Sequence, residues 1–264
     1  MATFSPRKSA PSAKAWAIWG ALIGCAMALV MFAPARWLAG WIEQLSAGHV
    51  SLPDTRGTIW SGSSLLVLTG GAGSQGSVAL PGRLNWTLRP AWGGLSIQAV
   101  APCCMTQALN LDARFTMGGA QVKVQDHLSN WPAVLLAGLG TPWNTIAAEG
   151  NLSLSSKGLS VEWAEGRATL TGALQVDAQS MASRLTTLNP MGSYRLTLDG
   201  GALVSLKLQT LHGSLQLSGA GQWVGGRLRF EGVASAAPDR LDALSNLLNI
   251  IGRRDGARSI IKVG

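Results

Sequence analysis

The sequence predicts an all-β, antiparallel, glycine-rich domain behind one N-terminal transmembrane helix, with a short helix near the C-terminus. Three features carry that prediction. Residues Trp16 to Ala33 run for eighteen positions without a charge, the length at which a helix can cross a bilayer. From Gly57 onward apolar and polar residues alternate, the mark of strands with one buried face. The 33 glycines among 264 residues punctuate those runs, where turns and bulges need them.

Residues 1–15 read as a basic tail, since Arg7, Lys8 and Lys14 have no acidic residue among them. The positive-inside rule then keeps the tail in the cytoplasm and sends the bulk of the chain across the membrane. The anchor is assigned to residues 16–35. At about 1.5 Å per residue the apolar run reaches about 27 Å, against a hydrocarbon core of roughly 30 Å. Trp16, Trp19 and Trp37 lie at its ends, where indole rings suit the headgroup layer. Ala33-Pro34-Ala35 also resembles a signal-peptide cleavage site, but the apolar run is longer than such a leader uses and the proline crowds the cut. Both readings export the rest of the chain. Gly20, Gly24 and Ala28 form a small-residue ridge that would let two helices approach closely, although small residues are common in membrane helices in any case. Residues 36–46 then read as an amphipathic juxtamembrane helix, with Trp37, Leu38, Trp41, Ile42 and Leu45 on one stripe. That stripe suits a helix lying on the outer leaflet or one packed on the following domain.

Residues 47–264 read as the β domain. Leu84, Trp86 and Leu88 alternate with polar neighbours, as do Leu95-Ile97-Ala99 and Leu109-Leu111-Ala113-Phe115. The same period recurs at Leu152-Leu154, from Leu170 to Val176, and at Leu196-Leu198, Leu206-Leu208, Leu215-Leu217 and Leu228-Phe230. Breaks such as Asp199-Gly200-Gly201 and Gly225-Gly226 every eight to twelve residues predict a meander, as an open trough, a sandwich or a barrel. Trp131 to Leu139 is expected as a short helix, with proline at its second position. Pro238 to Ile251 is expected as another, with Asp239 as N-cap, Leu241, Leu244, Leu248 and Ile251 as its stripe, and Gly252 ending it. Ser259 to Val263 reads as a last strand. A faint echo links Gly57-Thr-Ile-Trp60-Ser-Gly62 with Val161-Glu-Trp163-Ala-Glu-Gly166, and Gly150-Asn-Leu-Ser with Gly213-Ser-Leu-Gln. Two stacked β units would produce it, as would chance among Gly/Leu/Ser strands.

Most candidate chemistry dissolves on inspection. The net charge of +8 is spread without a dense basic run, so nucleic acid is not an expected partner. Three cysteines make no disulfide framework and no zinc-ligand spacing, and no metal or cofactor site is expected. Gly71-Ala-Gly73-Ser-Gln-Gly76 has a nucleotide-loop spacing, but strand rather than helix follows it and Pro81-Gly82 is expected to turn that strand, so it reads as a loop. His49, His127 and His212 stand apart, and Glu162 and Glu165 fit a solvated face better than acid–base work. Adjacent Cys103 and Cys104 can form a vicinal disulfide in an oxidising compartment, remain as two buried thiols, or enter mixed disulfides. Cys25 within the apolar run is a small apolar residue. The remaining tryptophans fit core packing, or an apolar groove left partly uncovered.

Several segments together resemble a known family. They are Gly57-Thr-Ile-Trp60-Ser-Gly62, Leu80-Pro-Gly-Arg-Leu-Asn-Trp86-Thr-Leu and Leu139-Gly140-Thr-Pro142-Trp143. The C-terminal ones are Leu211 through Gly219, Gly221 and Trp223, then Arg229-Phe-Glu-Gly232-Val-Ala and Leu247-Leu-Asn-Ile-Ile-Gly252-Arg-Arg. The order and content resemble the type II secretion system protein N (general secretion pathway protein N) family over nearly the whole chain. Cys103-Cys104 matches no feature of it. The resemblance implies a non-catalytic, auxiliary, single-pass inner-membrane protein of a Gram-negative envelope with a periplasmic β domain. Its implied partners are the inner-membrane platform and the secretin of the machine that exports folded proteins. A different reading is an envelope lipid-handling protein that cradles acyl chains in its β groove.

Overall fold

In the computed structural model the described residues are 13–264 apart from 72, 73 and 75. The tail up to residue 12 and three positions of the Gly71–Gly76 loop therefore lie outside them. Two helices lead: α1, Ala13–Met31, and α2, Ala35–Leu45. The expected 16–35 anchor is thus divided, with Pro34 starting a second helix where its fixed φ suits the turn. Among the described residues no helix is long and apolar enough to cross a membrane. The 19 residues of α1 reach about 28 Å, just short of the roughly 30 Å hydrocarbon core.

The strands follow in chain order. The first eight are β1 (Val50–Ser51), β2 (Arg56–Gly57), β3 (Ser61–Thr69), β4 (Ser77–Ala91), β5 (Gly94–Val100), β6 (Leu109–Thr116), β7 (Gly119–Val124) and β8 (His127–Pro132). A 3₁₀ segment, Ala133–Leu139, and a one-turn helix α3, Trp143–Ile146, separate them from the rest. Then come β9 (Ala148–Ala164), β10 (Arg167–Ser183), β11 (Gly192–Asp199), β12 (Ser205–Gly213), β13 (Leu215–Val224) and β14 (Arg227–Ala236). Helix α4, Leu241–Ile251, precedes β15 (Arg253–Asp255) and β16 (Arg258–Val263). Among the described residues all sixteen strands form one antiparallel sheet in which most strands pair with the next in sequence, while β1, β7 and β14 skip one to pair with β3, β9 and β16.

The register sorts the side chains into two faces. Leu154, Val176, Leu196 and Leu208 stand opposite one another across β9–β12, with Leu174, Leu198 and Leu206 in the next row. The other face carries Gln175, Asp177, Arg195, Thr197 and Lys207. One face is therefore apolar and the other wet, as the alternation requires.

The apolar face is covered at one end only. There Ala133, Ile146, Leu152, Met181, Met191, Tyr194, Leu215 and Ala234 pack with Leu244, Leu247 and Leu248 of α4. Leu80, Ala101, Cys104 and Leu135 form a second cluster, and Trp131 touches both. Burial in this core pushes the Tyr194 phenol pKa up. Hairpin tips at the opposite end leave Trp92, Met117, Trp163 and Leu203 exposed.

Several local expectations need correction. Trp131 and Pro132 close strand β8, and the following turn is 3₁₀ from Ala133. Proline there adopts extended φ and ψ, ending a ladder in which it cannot donate. Pro81-Gly82 does not turn the chain: β4 continues through it as a bulge opposite Leu66. Asp239 is not an N-cap, because a 3₁₀ turn, Pro238–Arg240, precedes α4 and Asp239 pairs with Arg240 at 3.0 Å. The tryptophan echo is not structural either. Trp60 meets α1, whereas Trp163 ends β9 at a hairpin.

If α4 is the main cover for this end of the sheet, truncating its most buried side chain should be costly. Leu244→Ala is expected to lower unfolding free energy by about 2–5 kcal/mol, read from urea midpoints.

Candidate functional site

Three surfaces can act: the join between helices and sheet, the apolar face, and the open strand edges. The join is built from Gly57-Thr-Ile-Trp60-Ser-Gly62. The Trp60 indole N–H donates to the Val30 carbonyl at 2.7 Å, and the Ile59 amide donates to the Ala33 carbonyl at 3.0 Å. Pro34 bridges Thr58. One strand further in, the buried Trp86 indole donates to the Ile59 carbonyl at 3.2 Å and lies over Gly62. A Cβ at Gly62 would sit 2.5 Å from Trp86 Cζ2 and 2.7 Å from the Arg56 carbonyl oxygen, so only glycine fits. Asp54 ties the outer side by pairing with Arg83 and Arg56. Those hydrogen bonds, Arg83 first, hold its carboxyl below the usual value.

The C-terminal glycines have a comparable job. Gly219 and Gly232 face each other across β13–β14 and Gly221 faces Phe230. The buried Phe230 ring lies against both glycines: a Cβ at Gly219 would collide with it, and one at Gly232 would crowd it at 3.1 Å. Gly140 abuts the Gly70 backbone, with a Cβ position 3.0 Å from the Gly70 Cα, and Pro142 precedes α3. Gly20 and Gly24 face open space on α1, where every described side chain from Lys14 to Phe32 is exposed.

The uncovered part of the apolar face holds a cleft of about 530 Å³. Val161, Leu170, Leu198, Leu203, Val204 and Trp223 line it. Such a lining has surface for a chain-like apolar ligand or an apolar side-chain cluster, and few groups that could move a proton.

Open edges are few. Short β1 and β2 partly cover the outer side of β3, and α2 packs beside them. At the far side β15 pairs with Arg258 to Ile260, so Ile261 to Val263 have no outer partner among the described residues. β8 is sealed by the segment carrying the cysteines, since the Asn130 amide donates to the Cys104 carbonyl at 2.8 Å. The sulfurs of Cys103 and Cys104 lie at bonding distance in that segment, with Cys104 inside the second cluster, and Cys25 is a free, exposed thiol.

The groups weighed for chemistry stay apart. Gly71 to Gly76 joins β3 to β4 with no helix after it. His49 lies beside Thr69, with its Nδ1 3.1 Å from that carbonyl. Glu162 faces Thr169 and Gln121 on the polar side, and Glu165 is in a hairpin. Among the described residues no three His, Cys, Asp or Glu side chains gather as a metal set. The best-built charge pair is on the polar face, where Arg195 Nε and Nη2 donate to the two Asp177 oxygens at 2.7 and 2.8 Å.

The sheet thus presents a half-covered apolar face and, among the described residues, a short unpaired edge at Ile261 to Val263. The family model for the type II secretion system (T2SS), protein N, matches residues 48–261, and the chain belongs to that family. No curated protein and no solved structure matches the chain.

Two outcomes follow from this geometry. Gly62→Ala should lower stability by about 1–3 kcal/mol in chemical unfolding, because the added methyl displaces the Trp86 ring or the Arg56 backbone. The Arg195 hydrogen bonds hold the Asp177 carboxyl below its ordinary value of 3.8, against the opposing effect of burial, with Gln175 adding a smaller share. A depressed folded-state pKa means the pair contributes above that ordinary value and loses its contribution as pH falls through the folded one. Asp177→Asn should therefore melt about 2 °C lower at pH 7, a small effect for a partly exposed pair, with the difference shrinking in thermal scans as pH falls below 3.8.

Proposed function

We propose that the chain is an auxiliary, non-catalytic scaffold of the type II secretion machine, held in the inner membrane by α1 with its β domain in the periplasm. Membership of the protein N family over residues 48–261 carries this reading. Arg7, Lys8 and Lys14, ahead of the apolar run, support the orientation, since the positive-inside rule puts such residues on the cytoplasmic side. The Trp60 and Ile59 hydrogen bonds to Val30 and Ala33 support a domain tied to its anchor without a flexible linker. Docking to the inner-membrane platform or the secretin would use strand addition at Ile261 to Val263 or burial of the open apolar face.

In living cells, cross-linking a C-terminally tagged copy should enrich platform proteins or the secretin, as identified by mass spectrometry. Recovery of lipid-transport or outer-membrane-assembly proteins in their place overturns the reading. That outcome would favour lipid handling, for which the apolar lining of the 530 Å³ cleft is the supporting observation.

A periplasmic location also fixes the thiol chemistry, since that compartment keeps disulfides formed. Unfolded, unreduced protein should take up one maleimide, at Cys25, and three after reduction, as read from the intact mass.

A further inference from the structure

Helix α2 is pinned to both ends of β3. At its start the Ile59 amide donates to the Ala33 carbonyl and Pro34 bridges Thr58, just before β3 begins. Just beyond its end the Thr69 amide donates to the His49 carbonyl at 2.9 Å, and the Thr69 hydroxyl donates to the Gly48 carbonyl. The helix therefore lies lengthwise along β3, the first long strand of the sheet, beside the short β1 and β2. Its inner side is Ala35, buried, with Leu38, Ala39 and Ile42 half-buried. Trp37, Trp41 and Leu45 succeed one another at four-residue spacing and are 55, 67 and 76 % exposed. That places them on one outward line, away from the sheet.

Only Phe32, Ala33 and Pro34 separate α1 from α2. With α1 as the anchor, a reading on which this inference rests, α2 begins where the chain leaves the hydrocarbon. Exposed indoles in a row at that level match the headgroup layer, where tryptophan's apolar ring and polar N–H are both satisfied.

We propose that α2 seats the first edge of the sheet on the bilayer, with Trp37, Trp41 and Leu45 in contact with phospholipid. Two consequences follow from the topology. The strands lie along the membrane, so the sheet rises from it strand by strand. β16 is eleven strands from β3 in the pairing order, which at about 4.8 Å per strand sets the open edge about 50 Å along the sheet from the lipid. The unpaired Ile261 to Val263 edge is then held away from the leaflet.

The test uses the full chain in vesicles of phosphatidylethanolamine and phosphatidylglycerol, in a Cys25→Ser background. Single labels are placed at Leu45→Cys on α2, at Thr187→Cys in the β10–β11 loop and at Ala257→Cys in the β15–β16 turn, all exposed positions. The Leu45 label should be several-fold less accessible to an aqueous quencher than the Thr187 label. Energy transfer to an acceptor lipid should be strong from Leu45 and weak from Ala257. A Leu45 label as accessible as that at Thr187, or equal transfer from Leu45 and Ala257, overturns the proposal. A label on native Cys25 reads α1 separately. Aqueous Cys25 overturns the anchor, whereas lipid-shielded Cys25 with aqueous Leu45 overturns only the seating of α2.

Discussion

A sheet with one apolar face needs something to lie on that face, and this chain has little to spare. The 3₁₀ segment after Pro132 and helix α4 are the main covering elements, and both are placed at the same end. Where they lie, Leu215, Leu244, Leu247 and Leu248 are almost wholly buried. Where they do not, Leu170, Leu198 and Leu206 remain half-buried and the cleft stays open. Each half-covered leucine gives up part of the free energy of full burial, of the order of 1.5–3 kcal/mol per side chain. A fold that tolerates this keeps an apolar surface available for binding.

The sheet curls enough for residues of β9, β10, β13 and β14 to share one cluster with α4, and bulges supply part of that bend. One joins two strands and the β7–β8 connection. The Gly158 amide donates to Asp126 Oδ1 at 2.7 Å, and Gly172 sits against the Gly158 backbone with φ of +83°. A side chain at residue 172 would be strained and would strike that backbone, so glycine there is a requirement of the curvature.

Alternation made most of the strands legible: Leu84 to Leu88, Leu95 to Ala99, Leu109 to Phe115 and Leu170 to Val176 all lie in strands with the expected faces. It failed at β8 for a definite reason. There Ser129 is buried at 4 % and Leu128 is exposed at 56 %, because Ser129 stands opposite Leu154 while Leu128 is on the wet face. His127 and Trp131 complete an inward set that no hydrophobic pattern would select. Bulges also shift the parity, so that Ser156 and Val161 face the same way although an odd number of positions separates them. The Gly57-to-Gly62 segment was recognisable as a motif, yet its partner Val30 is thirty positions away in a different element. Pattern fixes which face is apolar. It does not say what lies on it, because cover comes from remote segments such as α4.

In this sheet each strand finds its partner in the segment just before it, and the order of pairing is almost the order of the chain. β3 waits only for β4 and most strands up to β13 likewise wait only for the next, whereas β7 waits for β9 and β14 for β16. Short loop closures make such pairing kinetically accessible one hairpin at a time. A chain of this topology that becomes available gradually could therefore lay down its sheet N-terminal strands first, before the later strands are free to pair. Helix α4 follows β14 and completes the cover that the 3₁₀ segment after Pro132 begins. Closure of that end therefore waits on a segment that follows β14 in the chain, whatever the order in which the earlier hairpins form.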